Sequence, residues 1–413
     1  MPHRPSERAL LFLVGAVQFV NVLDFMMVMP LGPDFAAGLG IPASRLGLVG
    51  GAYTAAAAVA GIASAAFLDR FDRRKALAVA MTGLVLGTAA GGLATGLGSM
   101  LAARVVAGAF GGPATSLALS VVADAVPPER RGKALGAVMG AFSVASVLGV
   151  PAGLELARLG GWRAPFFAVA GLGLLVAGGA LRLMPPMTGH VGPGAAAALP
   201  LSALLRRPVA RFSLAATAAS MFSGFAIVPN IAAHLQYDLG YPREKLGTLY
   251  MAGGAVAFVA LRVAGRWIDR AGAPVVASFG TTIFAGVLLL GFAFPPAATP
   301  VAPLFVAFML GNSTRNVSIN TLSSRVPAPG ERARFMSAQS AVQHLASSAG
   351  AILSARILVV EPDGRLGGMR TLAFVSVAVA VAVPLLVAAV AARLRPRAAV
   401  DAPEAGPQRP AAG

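Results

Sequence analysis

Two short stretches decide how this chain is organised: Leu68-Asp69-Arg70-Phe71-Asp72-Arg73-Arg74-Lys75 and Ile268-Asp269-Arg270-Ala271-Gly272. Each closes a long apolar run with an Asp-Arg pair and opens a short loop. Positions 69 and 269 lie close to half a chain apart in a sequence of 413 residues. A charged hinge repeated at that spacing is what two homologous membrane-embedded halves should show.

Working outward, the composition excludes a soluble globular protein. Hydrophobic residues make up 57% and charged residues 12%, with a mean hydropathy of +0.76, whereas soluble domains carry roughly a quarter charged residues. The formal charge of +17 comes from 33 basic against 16 acidic residues. The basic residues cluster at alternate loops and no aromatic-rich basic module accompanies them. The excess therefore reads as a topology signal and a contact with anionic lipid headgroups, not as a nucleic-acid surface. There is no cysteine, hence no disulfide, thiol nucleophile or cysteine-ligated metal. The four histidines, His3, His190, His234 and His344, have no supporting Glu/Cys cluster, so no metal site is expected.

Twelve apolar spans are predicted, at roughly 9–30, 45–68, 75–97, 99–123, 134–157, 164–184, 211–234, 245–268, 273–295, 300–323, 334–357 and 369–393. Each is long enough to cross a hydrocarbon core of about 30 Å. The first lacks a small-residue cleavage site followed by a polar mature domain, so it reads as a transmembrane helix and not a signal peptide. The run from Ala76 to Ala123 is too long for one span and must turn at Gly96-Leu97-Gly98-Ser99; Leu159 to Arg163 splits spans five and six in the same way. With a cytoplasmic N-terminus, 22 of the 33 lysines and arginines fall on the inner side and 8 on the outer, with Arg104, Arg262 and Arg315 inside spans. That asymmetry predicts both termini in the cytoplasm of an inner-membrane protein.

The domain reading is a six-helix half over 1–184, a cytoplasmic linker over 185–210, a second six-helix half over 211–395 and a disordered tail over 396–413. The linker's end, Leu201 to Arg207, suits a short amphipathic surface helix.

Local patterns in these spans resemble the major facilitator superfamily, over roughly residues 9–395. The loop after span two is similar to the family signature at Asp69, Arg70, Arg73 and Arg74, with Ala65 and Asp72 replacing its glycines. Its counterpart, Gly265 to Gly272, keeps both glycines. Leu101 to Gly108 resembles the intramembrane-arginine pattern of span four. Gly149-Val150-Pro151-Ala152-Gly153 in span five, and Asp24 with Pro30 to Phe35 in span one, resemble the drug:proton antiporter and sugar-efflux branch. The resemblance implies a fold of two pseudo-symmetric six-helix halves and alternating access about a midplane cavity. It also implies a charge network of Asp69, Arg70, Arg73, Asp124, Asp269, Arg270 and Arg334 that closes the inner surface across the halves.

Asp24 is the acid well inside a span, where a carboxylate is costly and must face a cavity or a partner. Gln18, Asn21 and Asp24 share one face of the helix, so Gln18 and Asn21 are candidate substrate-cavity groups and Asp24 a candidate protonation site or substrate contact, or a structural hydrogen-bonding group. Arg104 either pairs with a carboxylate, as the resemblance implies, or snorkels to the headgroups. Arg315, deep in span ten among asparagines, reads as cavity electrostatics or as a packing network. Arg262, nearer the surface, reads as a snorkelling or structural residue. Asn230, Gln339, Gln343 and His344 are candidate cavity groups or interhelical hydrogen bonders. Gly149, Pro151 and Gly153 predict a kink sealing the interface between halves.

The resulting expectation is a monomeric secondary transporter that exports small organic molecules against protons. It has no cofactor beyond the proton gradient, since no phosphate-cradling loop is present. The alternative is uptake or facilitated passage of a sugar or organic anion. An enzyme is not expected, because span one offers a single acid and no loop offers a catalytic cluster.

Overall fold

The computed structural model describes residues 7–64, 71–187, 206–296, 299–328 and 331–400. In the first half, α1 is Glu7–Val28, α2 Gly32–Leu39, α3 Leu46–Ser64, α4 Arg73–Gly92 and α5 Leu97–Ala125. α6 (Pro128–Val144) runs through a π turn at Ala145–Gly149 into α7 (Val150–Gly160), and α8 is Ala164–Leu183. In the second half, α9 (Pro208–Ala233) ends in a π turn at His234–Asp238, α10 is Leu246–Ala271, and α11 (Ala273–Leu288) ends in a π turn at Leu289–Ala293. α12 is Val301–Ser323, α13 Arg332–Ile357, and α14 Met369–Val400. A two-strand antiparallel hairpin, β1 (Val359–Val360) and β2 (Leu366–Gly367), joins α13 to α14.

Among the described residues, long helical segments occupy each of the expected places, and 10 of them are both long and apolar enough to cross a membrane. The other two, α12 and α13, are 23 and 26 residues long and carry polar residues expected at a cavity. α2 and the hairpin are not apparent in the sequence pattern, and α14 continues as helix past the expected end at 395, to Val400. Most of the linker, including 201–205 of the suggested surface helix, lies outside the described residues.

Local chemistry explains the boundaries. Asp72 caps the start of α4, accepting from the Arg74 amide at 3.0 Å, and also accepts from the Met187 amide at 2.9 Å. The aspartate that replaces a signature glycine therefore ties the hinge to the start of the linker. The long apolar run breaks at Leu93–Gly96, where Ser99 Oγ accepts from the Thr95 and Gly96 amides at 3.0 and 3.2 Å. Gly161, at φ 77°, makes the left-handed turn between α7 and α8.

Helix neighbours repeat between halves. α3–α5, α4–α5, α4–α8, α1–α6 and α1–α8 are matched by α10–α12, α11–α12, α11–α14, α9–α13 and α9–α14. The halves meet through α3 against α13 and α7, with its π turn, against α10. The molecular surface is apolar, with Phe12 80% and Leu175 74% exposed, as a lipid-facing surface must be. Helix directions put the start of α1 and the end of α14 on one face of the bundle, the terminal face; the opposite one is the distal face.

Candidate functional site

α1 places Asp24 one turn after Asn21 and on the same face. Asp24 is fully buried and receives both ends of the Arg104 guanidinium from α5, Nη1 at 3.1 Å and Nη2 at 3.2 Å. The Thr88 hydroxyl of α4 donates to it at 2.7 Å. Arg104 is 1% exposed and lies over the Tyr53 ring of α3, 4.6 Å from its centroid. Of the two readings of Arg104, the geometry gives the carboxylate pairing: it does not snorkel.

The Tyr53 hydroxyl donates to Asn21 Oδ1 at 2.9 Å, and Asn21 Nδ2 donates to the Gly111 carbonyl at 2.8 Å and to Thr115 Oγ1 at 2.5 Å. Close helix approach makes this possible. A Cβ on Gly108 would land on the Tyr53 carbonyl, so α5 can touch α3 only with glycine there. Gln18 is buried nearby on the same helix, its Oε1 without a donor among the described residues. The bidentate pair offsets the desolvation of two charges; removing one partner would leave the other uncompensated at about 3–5 kcal/mol.

The second half holds a different cluster. Arg315 on α12 is fully buried. It donates to Ser223 Oγ at 3.1 Å, the Ser220 carbonyl at 3.3 Å and Asn312 Oδ1 at 3.1 Å, and lies 3.9 Å over the Phe284 ring. No carboxylate pairs with it among the described residues. The pseudo-symmetric halves are thus electrostatically unlike: one buried pair is neutral and the other site is a net cation. Phe25 and Phe225 stack across the halves at 5.8 Å, and Phe25 also packs on Tyr53 at 5.2 Å.

Other predicted cavity groups are split. Asn230 is buried and donates to Ser354 Oγ at 2.8 Å, and Gln339 donates to Asn320 Oδ1 at 3.2 Å, both joining helices. Each keeps a carbonyl oxygen without a donor among the described residues. Gln343 and His344 are half-buried and make no side-chain hydrogen bond among the described residues. Arg262 is exposed, stacked 3.9 Å over Phe258.

Part of the expected charge network falls among the described residues. Asp69 and Arg70 lie outside the described residues. Arg73 meets Asp124 at 3.3 Å within the first half, and Asp269 meets Arg325 at 3.9 Å within the second; Arg270 and Arg334 are exposed. An ion pair across the halves sits on the distal face. There Arg243, before α10, donates through Nε to Asp34 of α2 at 2.7 and 2.9 Å, through Nη2 to the same carboxylate, and to the Leu154 carbonyl at 3.2 Å. Ser348 of α13 adds a hydrogen bond to the Gly51 carbonyl of α3 at 3.0 Å. Both contacts tie the halves together on the distal side of the interface.

Gly149, Pro151 and Gly153 sit where the helix changes gauge. Pro151 has no amide to continue the α pattern, and the Val150 amide reaches back to the Ala145 carbonyl, forming the π turn. A Cβ on Gly149 would meet Leu23 of α1 at 2.8 Å, whereas Gly153 has only Met27 at 3.8 Å. Across the interface a Cβ on Gly254 of α10 would lie 2.7 Å from the Ser146 carbonyl, so the wide turn is what α10 packs against.

Tyr53, Thr88, Thr115, Ser220 and Ser223 escape a reading of the sequence, since single hydroxyls in apolar helices carry no spacing signal. Asp34 is visible there only as part of a motif; no sequence feature links it to Arg243.

Comparison with known proteins agrees with this architecture. The chain is 29% identical over 381 residues to the chloramphenicol resistance protein of Streptomyces lividans, covering 91% of this chain and 95% of that one. It is 27% identical over 308 residues to the purine ribonucleoside efflux pump NepI of Escherichia coli O6:H1, covering 72% and 75%. The crystal structure of a point mutant of the nucleoside transporter NupG superposes with a TM-score of 0.71 at 12% identity, covering 92% of this chain and 99% of that one. The family description Major Facilitator Superfamily matches residues 14–351 and 214–412. Matching halves, a duplicated hinge and a family match along nearly the whole chain make this multi-pass membrane protein a transporter of the Major Facilitator Superfamily.

Proposed function

We propose that the protein is a proton-coupled exporter of small organic molecules, with Asp24 as the coupling carboxylate and Arg104 as its counter-charge. The observation that carries this reading is the fully buried bidentate pair between α1 and α5. Protonating Asp24 removes the charge that compensates Arg104, and the low-dielectric surroundings make an unpaired guanidinium costly by about 3–5 kcal/mol. A penalty of that size is enough to exchange two arrangements of the halves that differ by a few kcal/mol. Tyr53 connects the pair to the interface: its ring lies under Arg104 and against Phe25, which stacks on Phe225 of the other half. With both termini in the cytoplasm, the distal face is outside and the Asp34–Arg243 latch belongs to the state closed to the exterior.

Export is favoured over uptake by the π turn at Pro151 against α10, and by relatives named for chloramphenicol resistance and purine ribonucleoside efflux. The test is transport in proteoliposomes under an imposed pH gradient, with chloramphenicol, purine ribonucleosides, cationic dyes and organic anions as probes. Substrate movement opposite to protons, lost in Asp24→Asn while substrate exchange survives, is the expected result. Exchange without any pH coupling in the wild type would remove the antiport reading.

A further inference from the structure

The π turn that ends α9 holds His234 and Asp238 one helical turn apart, on the distal face and away from the Asp24–Arg104 pair. His234 is 2% exposed. Its Nε2 lies 2.9 Å from the Gly291 carbonyl and its Nδ1 lies 2.5 Å from Asp238 Oδ2. A carbonyl only accepts, so Nε2 must carry hydrogen. Nδ1 faces a carboxylate oxygen, so a second proton must lie between them. Two acceptors around one imidazole require one proton more than the neutral ring and the ionised acid together supply.

The surroundings fix both ends of the pair. The Gly291 carbonyl belongs to the C-terminal turn of α11, where carbonyls lack intrahelical donors and are free to accept from a side chain. Asp238 Oδ1 accepts from the Leu366 amide of β2 at 2.8 Å, which fixes the carboxylate against the hairpin. Among the charged groups on neighbouring elements, Arg370 of α14 is turned to the Ala293 carbonyl and the Phe294 ring. Asp363 and Arg365 of the hairpin pair with each other, Glu361 lies over Gly367, and Arg45 follows α2 in the turn that meets β1.

We propose that His234 and Asp238 form a second proton-binding site, separate from Asp24 and at the distal end of α9, whose proton clamps the hairpin and the end of α9. With the proton present, one side-chain pair holds three elements together: the ends of α9 and α11 and the hairpin. Without it, and with the remaining ring proton held on Nε2 by the Gly291 carbonyl, the Nδ1 lone pair and a carboxylate lone pair face each other across the same gap and repel. The pair opens, and the Leu366 hydrogen bond goes with it. The loop leading from this turn is short: the Tyr241 amide returns to the Leu235 carbonyl at 2.8 Å, and Arg243 of the distal latch follows two residues later.

The chemistry makes a distinctive demand on Asp238→Asn. Its amide can donate to Nδ1 while its oxygen still accepts from Leu366, so the clamp keeps its geometry with a neutral imidazole and no bound proton. The experiment is 15N-histidine NMR of the full-length transporter in nanodiscs, titrated across the pH range in which it stays folded. His234→Gln assigns the resonance; if that variant fails to fold, replacing His3, His190 and His344 together leaves His234 as the single signal. The expected result is an Nδ1 that carries a proton at the acid end and loses it at the alkaline end. Asp24→Asn should leave that transition in place, and Asp238→Asn should leave Nδ1 bare throughout. A wild-type Nδ1 in one state at every pH, an unchanged titration in Asp238→Asn, or its loss in Asp24→Asn would each overturn the proposal. Because Asp24→Asn is read separately here, failure of this site and failure of the Asp24 coupling are distinguishable.

Discussion

At the residue scale, two buried arginines make opposite demands. Arg104 is neutralised by Asp24, so Asp24→Asn alone strands a guanidinium. Its thermal midpoint in detergent should fall by the equivalent of about 3–5 kcal/mol, alongside loss of pH-driven transport. The double variant Asp24→Asn/Arg104→Gln should regain most of that stability without regaining coupling, which separates the structural from the functional role of the pair. Arg315 has no carboxylate partner among the described residues to strand. Arg315→Met should therefore leave the thermal midpoint unchanged or raised, by the equivalent of about 1–4 kcal/mol. Tyr53→Phe keeps the ring under Arg104 and loses only the Asn21 hydrogen bond, so a cost of about 1 kcal/mol is expected. A larger loss of transport than of stability in Tyr53→Leu would place the ring itself in the relay to Phe25.

At the element scale, the interface between halves depends on backbone approach. A Cβ on Gly47 of α3 would land on the Ala351 carbonyl and Ser354 hydroxyl of α13. Gly47→Leu should therefore hold the distal side open. The absence of native cysteine allows this to be read by alkylation of a single cysteine introduced at Ser348, which should rise several-fold over its rate in the Gly47 parent. The π turn behaves differently. It adds one residue to the helix without breaking it, and so rotates everything from Val150 onward relative to α6. Leu154, whose carbonyl receives Arg243, owes its position to that rotation.

At the scale of the whole molecule, the two halves are held on the distal face by Asp34 and Arg243, both partly buried at 21% side-chain exposure. A partly shielded multidentate Arg–carboxylate contact is stronger than an exposed surface pair. Arg243→Glu places like charges together and should shift the population toward a distally open state. Spin labels on Leu159 and Glu244, one on each half, would report a longer distance. The exchanged pair Asp34→Arg/Arg243→Asp should restore the wild-type distance. Recovery would show that the charge pair, and not the particular side chains, sets the conformational bias.

Much of this architecture is legible in the chain. Apolar runs of bilayer-spanning length, the Asp69 and Asp269 hinges, and the alternation of basic loops determine a two-halved helical membrane protein, because lipid tolerates only internally hydrogen-bonded backbone. Asp24, Arg104 and Arg315 stand out individually, since ionisable groups inside spans are costly and conspicuous. What the chain does not state is which of them meet. Asp24 and Arg104 are 80 residues apart and Asp34 and Arg243 209. Only helix packing decides that the first arginine is paired, that Arg315 is held by hydroxyls and carbonyls instead, and that the latch lies on the distal face. The hydroxyls of Thr88, Tyr53 and Ser223, and the clamp at His234, gain their meaning from neighbours on other helices; side-chain polarity is local, but hydrogen-bond satisfaction is a property of the packed whole.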